Sequence, residues 1–198
     1  IEPSEDVVVV GNPPFIGQYT KTPQQTADTK LIWGERYDGY LDYVTCWYAK
    51  TIDYFDDLNG RWAFVSTNSV CQGEAARSLW TPILDGGWRC RFAHRSLKWV
   101  TEATGGAAVH VSIVGFDKSR SPKPVLWSYG IGGAREQVRQ DCSVINPYLV
   151  PDAEMVLVEP TTSPVSEDLP PVVKGNQPTD GGNFTVRSTE LQAVRNDP

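Results

Sequence analysis

The chain has 198 residues, 40% hydrophobic and 21% charged, with seven Trp and eight Tyr, which suffices for one good core and a second small lobe. No apolar run approaches the ~18–20 residues a membrane helix needs, and the acidic start Ile1-Glu2-Pro3-Ser4-Glu5-Asp6 lacks the basic region of a secretory signal. A net charge of −6 argues against nucleic-acid binding by this piece alone, because such proteins present a basic face to phosphates. Local basic patches remain, as at Arg89, Arg91, Arg95 and Lys98.

The first element is Val7-Val8-Val9-Val10, four β-branched residues that read as a short strand buried on both faces inside a parallel sheet. Gly11 permits a tight exit, and Pro13-Pro14 cannot pair in a sheet and stiffen the chain beyond it. Asn12 is then held at the strand's carboxyl end, with Phe15 projecting beyond it; ligands of open α/β sheets bind at such ends. Residues 16–37 read as a long polar connection with a short helical turn near Leu31-Trp33, and Lys21, Lys30 and Arg36 as candidate phosphate contacts.

The stripe Leu41, Val44, Tyr48, Ile52, Phe55, Leu58 predicts a helix over 38–58, capped by Asp38 and closed by Asn59-Gly60. Arg61–Thr67 is the next strand, followed by a polar crossover, Asn68–Gly73. A second helix over 74–85 turns Ala76, Leu79, Trp80 and Ile83 inward, with Pro82 weakening its last turn. Trp88–His94 alternates apolar and basic residues, as a half-exposed edge strand would. Ala107–Phe116 alternates cleanly as a strand. Beyond it, Lys118–Pro124 is a basic, proline-broken linker. The tail offers only short β candidates at 125–127, 155–158 and 172–173, and a turn cluster at 174–184.

The four cysteines (Cys46, Cys71, Cys90, Cys142) are widely spaced without a CxxC, and read as reduced cytoplasmic thiols rather than a disulfide framework or zinc site; no metal ligands are assigned. The chain begins at Ile, and its only methionine is Met155, so it reads as part of a longer polypeptide.

Asn12-Pro13-Pro14-Phe15 after an apolar strand resembles the catalytic motif of amino-group DNA methyltransferases, above all the adenine-N6 class. The order of strands and helices resembles the latter half of a class I S-adenosylmethionine-dependent methyltransferase. In that fold the last strand, here 107–116, inserts antiparallel between its two predecessors. From Val8 to Phe116 the chain resembles the large adenine methyltransferases related to type IIL restriction–modification enzymes. The matching segments succeed one another in order: Gly11–Phe15, Asp42-Tyr43-Val44 with Trp47-Tyr48, Phe64–Ser69, Gln72-Gly73-Glu74, Phe92–Arg95 with Trp99, and Ala108–Val111. Asn146-Pro147-Tyr148 and 175–182 resemble the opening of that family's target-recognition region.

The resemblance implies a partial Rossmann-like α/β sheet, the back half of a methyltransferase domain over 1–117, and a linker with a mainly β or irregular recognition segment over 118–198. It implies methyl transfer from S-adenosylmethionine to a flipped adenine in double-stranded DNA. The family's Gly-rich cofactor loop is missing from the chain, which alone is expected to be inactive and not to bind the cofactor properly. Asn12 and the Pro13 carbonyl would accept hydrogen bonds from the adenine amino group, whose lone pair is delocalised, without a strong general base. Pro14 belongs to the same rigid motif. Phe15 would stack on the base, with Trp99 as second wall, and Asn68 and Ser69 would line the site. Two other readings stay open: a non-catalytic DNA-binding or specificity module, and methylation of a protein or RNA amino group. A cytoplasmic protein without membrane contact is expected, and the edge at Val7–Val10 would invite self-association.

Overall fold

A computed structural model describes residues 2–4, 6–99, 109–130, 133–159, 161, 166, 168, 186, 188, 189 and 191–195. The chain divides into two compact units, Ile1–Pro160 and Thr161–Pro198. In the second unit the described structure is a short helix, α4 (Leu191–Arg195). The candidates at 172–173 and 174–184 lie outside the described residues.

The first unit is built on one six-stranded sheet with the order β1-β2-β4-β3-β5-β6. Its strands are β1 (Val8–Gly11), β2 (Arg61–Thr67), β3 (Arg89–Trp99), β4 (Val109–Asp117), β5 (Val125–Gly130) and β6 (Gly133–Asp141). β1 pairs parallel with β2, and β3 parallel with β5. β4 lies antiparallel between β2 and β3, the insertion expected from sequence. β1, β2 and β3 therefore run the same way and end at one edge. The result is the partial Rossmann-like α/β sheet expected from the sequence.

Three helices accompany it: α1 (Pro23–Trp33), α2 (Thr45–Phe55) and α3 (Gly73–Asp85). Tyr48, Ala49, Ile52 and Phe55 of α2 and Ala76, Leu79, Trp80 and Ile83 of α3 are buried, as their spacing predicts. They meet the face of the sheet that carries Trp62, Phe64, Val114 and Phe116. Trp62 stacks on Phe116 at 4.1 Å and 23°, and Tyr48 meets Trp62 edge-on at 5.5 Å. Such pairs add about 0.5–1.5 kcal/mol each beyond the area they bury.

Several expectations are corrected. β1 is not buried on both faces: Val8 and Val10 are 52% and 71% exposed, while Val7 and Val9 pack on the core. β1 is the sheet's edge strand, paired on one side only among the described residues. The polar connection after Phe15 contains α1, which lacks an apolar stripe but starts on a capping box. The Thr22 hydroxyl accepts from Gln25 N, the Gln25 side chain accepts from Thr22 N, and Pro23 occupies the first turn. α2 starts seven residues later than predicted. Asp38 does not cap it, but accepts from Tyr40 N and Ser78 Oγ in a preceding turn. The helix stops at Asp56 (φ 47°), before Asn59-Gly60. β3 is an interior strand, flanked by β4 and β5. Its arginines are not a free basic patch: Arg89 and Arg91 both bond the buried Asp117, and Arg95 donates to the Leu149 carbonyl. Residues 155–158 form no strand. The four cysteines are free and buried, and burial pushes the Cys71 thiol up to about 12.

Gly60 sits where a Cβ would lie 2.0 Å from the ring of Phe55, itself fully buried. Gly60→Ala is therefore expected to destabilise the fold by about 1–3 kcal/mol through overpacking. A urea titration should show a lower midpoint at unchanged slope. A midpoint equal to the parent's would mean that the ring moves freely.

Candidate active site

Gly11 closes β1 opposite Phe64; a Cβ there would approach the Phe64 ring to 3.2 Å. The absence of a side chain lets the exit of β1 lie directly on the aromatic core. Pro13 then turns inward and is buried, while Asn12 and Pro14 are exposed. The Asn12 carboxamide and the Pro13 carbonyl make no hydrogen bonds among the described residues. Asn12 and Pro13 border an open groove of ≈ 770 Å³ along β1 and α2, lined in part by Trp47, Thr51 and Tyr54. Phe15 is half-buried against the core rather than fully projecting.

The carboxyl end of β2 lies beside this corner, because β1 and β2 are parallel. The two residues expected to line the site there have different partners. Asn68 donates from Nδ2 to Ser96 Oγ at 2.5 Å, and its Oδ1 accepts from the buried Ser112 hydroxyl at 2.8 Å. Ser96 lies within a bulge of β3 at φ 47°, so Asn68 ties β2, β3 and β4 together. Ser69 instead donates to Asp42 Oδ2 at 2.5 Å.

Asp42 is the residue that sequence reasoning missed. It is 7% exposed, and also accepts from Gln18 N at 2.7 Å and from the Thr67 hydroxyl at 3.4 Å. The available signal was a carboxylate inside the apolar stripe that begins at Leu41. Nearby, Lys21 donates to the Leu41 carbonyl at 2.6 Å, and burial draws its ammonium below its ordinary pKa.

Trp99 ends β3 opposite Val109, at the same sheet edge; its side chain lies outside the described residues. Phe92 lies over Gly115 in mid-sheet, away from that edge. His94 stacks on Trp127 at 4.6 Å and 4°, with the Tyr129 hydroxyl 2.5 Å from Nδ1; burial lowers its pKa. Tyr48 is core, its hydroxyl bonded to Ser66. No group of His, Cys, Asp and Glu among the described residues is arranged to hold a metal, and no described helix is long and apolar enough to cross a membrane.

A parallel pair ending in a rigid Asn-Pro-Pro-Phe corner, beside an antiparallel insertion, defines part of a class I methyltransferase. The family profile of the MmeI DNA-methyltransferase domain matches residues 2–128, and the chain belongs to that family. It is similar to DNA methyltransferase A of Bacillus subtilis (strain 168), 38% identical over 188 residues. That match covers 94% of this chain and 20% of the relative. A solved structure of the type IIL restriction–modification enzyme MmeI in complex with DNA superposes with a TM-score of 0.85 at 38% identity. It covers 96% of this chain and 26% of that one. The chain thus corresponds to a fraction of each relative's length.

The two asparagines should separate in stability measurements. Asn68→Ala leaves the Ser112 hydroxyl buried without its partner and is expected to cost about 1–3 kcal/mol. Asn12→Ala removes an exposed, unbonded side chain and should stay within about 0.5 kcal/mol of the parent. Equal losses in urea unfolding would contradict the division between a free corner and its bonded supports.

Proposed function

We propose that the chain is the part of a site-specific DNA adenine-N6 methyltransferase that presents the target base's amino group for methylation, within a restriction–modification protein. The observation that carries this reading is the pair of acceptors, Asn12 Oδ1 and the Pro13 carbonyl, left without a hydrogen bond among the described residues on a corner otherwise fixed by the fold. Adenine N6 is a weak nucleophile because its lone pair is shared with the ring. Two acceptors on its hydrogens favour a pyramidal nitrogen with the lone pair free to attack. No strong base is needed first, and the remainder of the catalysis is positioning.

The base must leave the duplex to reach such a corner. Phe15 stacks on it, and Trp99 serves as the second wall. Pro13 and Pro14 keep the acceptors from turning away. Ser69 and Asn68 act behind the corner.

S-adenosylmethionine supplies the methyl group in this reading. No Gly-rich turn of the family's type stands in the sequence to cradle it, so these residues do not complete a cofactor site. By itself the chain is accordingly inactive. The partner is double-stranded DNA, bound with the help of residues outside this acidic chain. The methyltransferase part spans 1–117, and 118–198 open the recognition part, whose first strands, β5 and β6, join the common sheet. Four free thiols fit a reducing cytoplasm.

In the natural polypeptide that carries this chain, Asn12→Ala should lower methyl transfer to duplex DNA by about 10²-fold or more. Radiolabelled S-adenosylmethionine measures transfer, and nucleoside analysis of the product should show N6-methyladenine. Full activity in the variant, or the label on protein or RNA alone, would overturn the assignment.

We also propose that the isolated chain self-associates through β1, whose Val8 and Val10 are exposed on an edge strand. Sedimentation should show concentration-dependent dimers that Val10→Lys abolishes. A strictly monomeric chain at high concentration would count against this.

A further inference from the structure

We propose that Asp42 is a positioning residue for methyl transfer, its buried carboxylate setting the Asn-Pro-Pro-Phe corner against the carboxyl end of β2. The inference rests on the catalytic reading above and adds to it a group that touches neither the base nor the motif.

Three rungs join the segment leaving the corner to the approach to α2. Tyr43 N donates to the Ile16 carbonyl at 2.9 Å, Gln18 N donates to Asp42 Oδ1 at 2.7 Å, and Lys21 Nζ donates to the Leu41 carbonyl at 2.6 Å. The outer two rungs use backbone carbonyls and need no particular residue at the acceptor position. The middle rung uses a side chain, and that side chain has a second oxygen. Asp42 Oδ2 accepts from Ser69 Oγ at 2.5 Å and Thr67 Oγ1 at 3.4 Å, at the end of β2.

One carboxylate therefore grips both segments that border the reaction. A buried carboxylate is tolerated only when donors surround it, and these donors all come from the two segments. Ordinary packing would be served better by an apolar residue, as at its buried neighbours Leu41 and Val44. The arrangement fits a group retained to fix distance. An error of about 1 Å at the reacting atoms is enough to lose roughly a hundredfold in rate.

The test uses the natural polypeptide with duplex DNA and S-adenosylmethionine under single-turnover conditions. Asp42→Ala is expected to lower the rate constant about tenfold to a hundredfold, with the DNA affinity measured by equilibrium binding within about twofold. Asp42→Asn should recover most of the rate, because its amide oxygen still accepts from Gln18 N while its NH2 donates to Ser69 Oγ. Hydrogen exchange should quicken at the Gln18 amide and stay unchanged at the core residue Trp62. If Asp42→Ala destabilises the protein too far to assay, Ser69→Ala removes one arm of the grip and should slow transfer in the same direction.

A fall in reaction amplitude with a parental rate constant would mean that Asp42 only holds the fold, and would overturn the proposal. Unchanged exchange at Gln18 would do the same. If the parent protein transfers no methyl group to adenine, the catalytic reading falls and this inference with it. If the parent methylates and Asp42→Ala does so at the parental rate, only the role of Asp42 falls.

Discussion

The parallel pairing of β1 with β2 is the constraint on which the rest depends. It sets Val9 beside Trp62 and Gly11 beside Phe64, so the chain leaves the sheet pressed against an aromatic ring. Two prolines one residue beyond that contact remove most of the remaining backbone freedom. The corner's direction is thus decided by the core beneath it. Trp62, Phe64 and Phe116 form a continuous aromatic layer with Tyr48 of α2. A ring packed on all sides has little room to shift, and the pairing inherits that rigidity.

Around the corner, polar groups divide into bonded and unbonded sets. Asp42, Thr67, Ser69 and the Gln18 amide bond one another, and Asn68, Ser96 and Ser112 form a second closed group. Satisfied, partly buried networks of this kind select one arrangement of their segments. At Asn12 and Pro13, by contrast, acceptors are left over among the described residues. In the proposed reading, those two oxygens are where the donor from outside arrives.

Much of this was legible from residue pattern. The valine run, Gly11 and the prolines specified the corner, and the stripes of α2 and α3 predicted their buried faces. The alternation at 107–116, together with the family resemblance, placed β4 between its predecessors. Other features were hidden for identifiable reasons. Whether β1 is interior or at an edge depends on neighbours in space, and four consecutive valines look alike in both settings. α1 buries only Thr29 and Trp33, so no period marks it; its sign was local, in Thr22, Pro23 and Gln25. β3 reads as amphipathic because its arginines alternate with apolar residues, but Asp117 neutralises two of them from the adjacent strand. Asp42 acquires meaning only through Gln18 and Ser69, which are 24 and 27 positions away.

The inserted strand also imposes an order of events on folding. β2 and β3 are separated in the sheet by β4, which comes after both in the chain. Neither can complete its ladder on that side until residues 109–117 exist. As the chain emerges from the ribosome, α2, β2 and α3 can gather early, but the sheet keeps an open slot at its centre. Closing that slot is a non-local step, and such steps are slow. Until then two facing strand edges stay unpaired, and this interval is when the nascent chain is most exposed to aggregation.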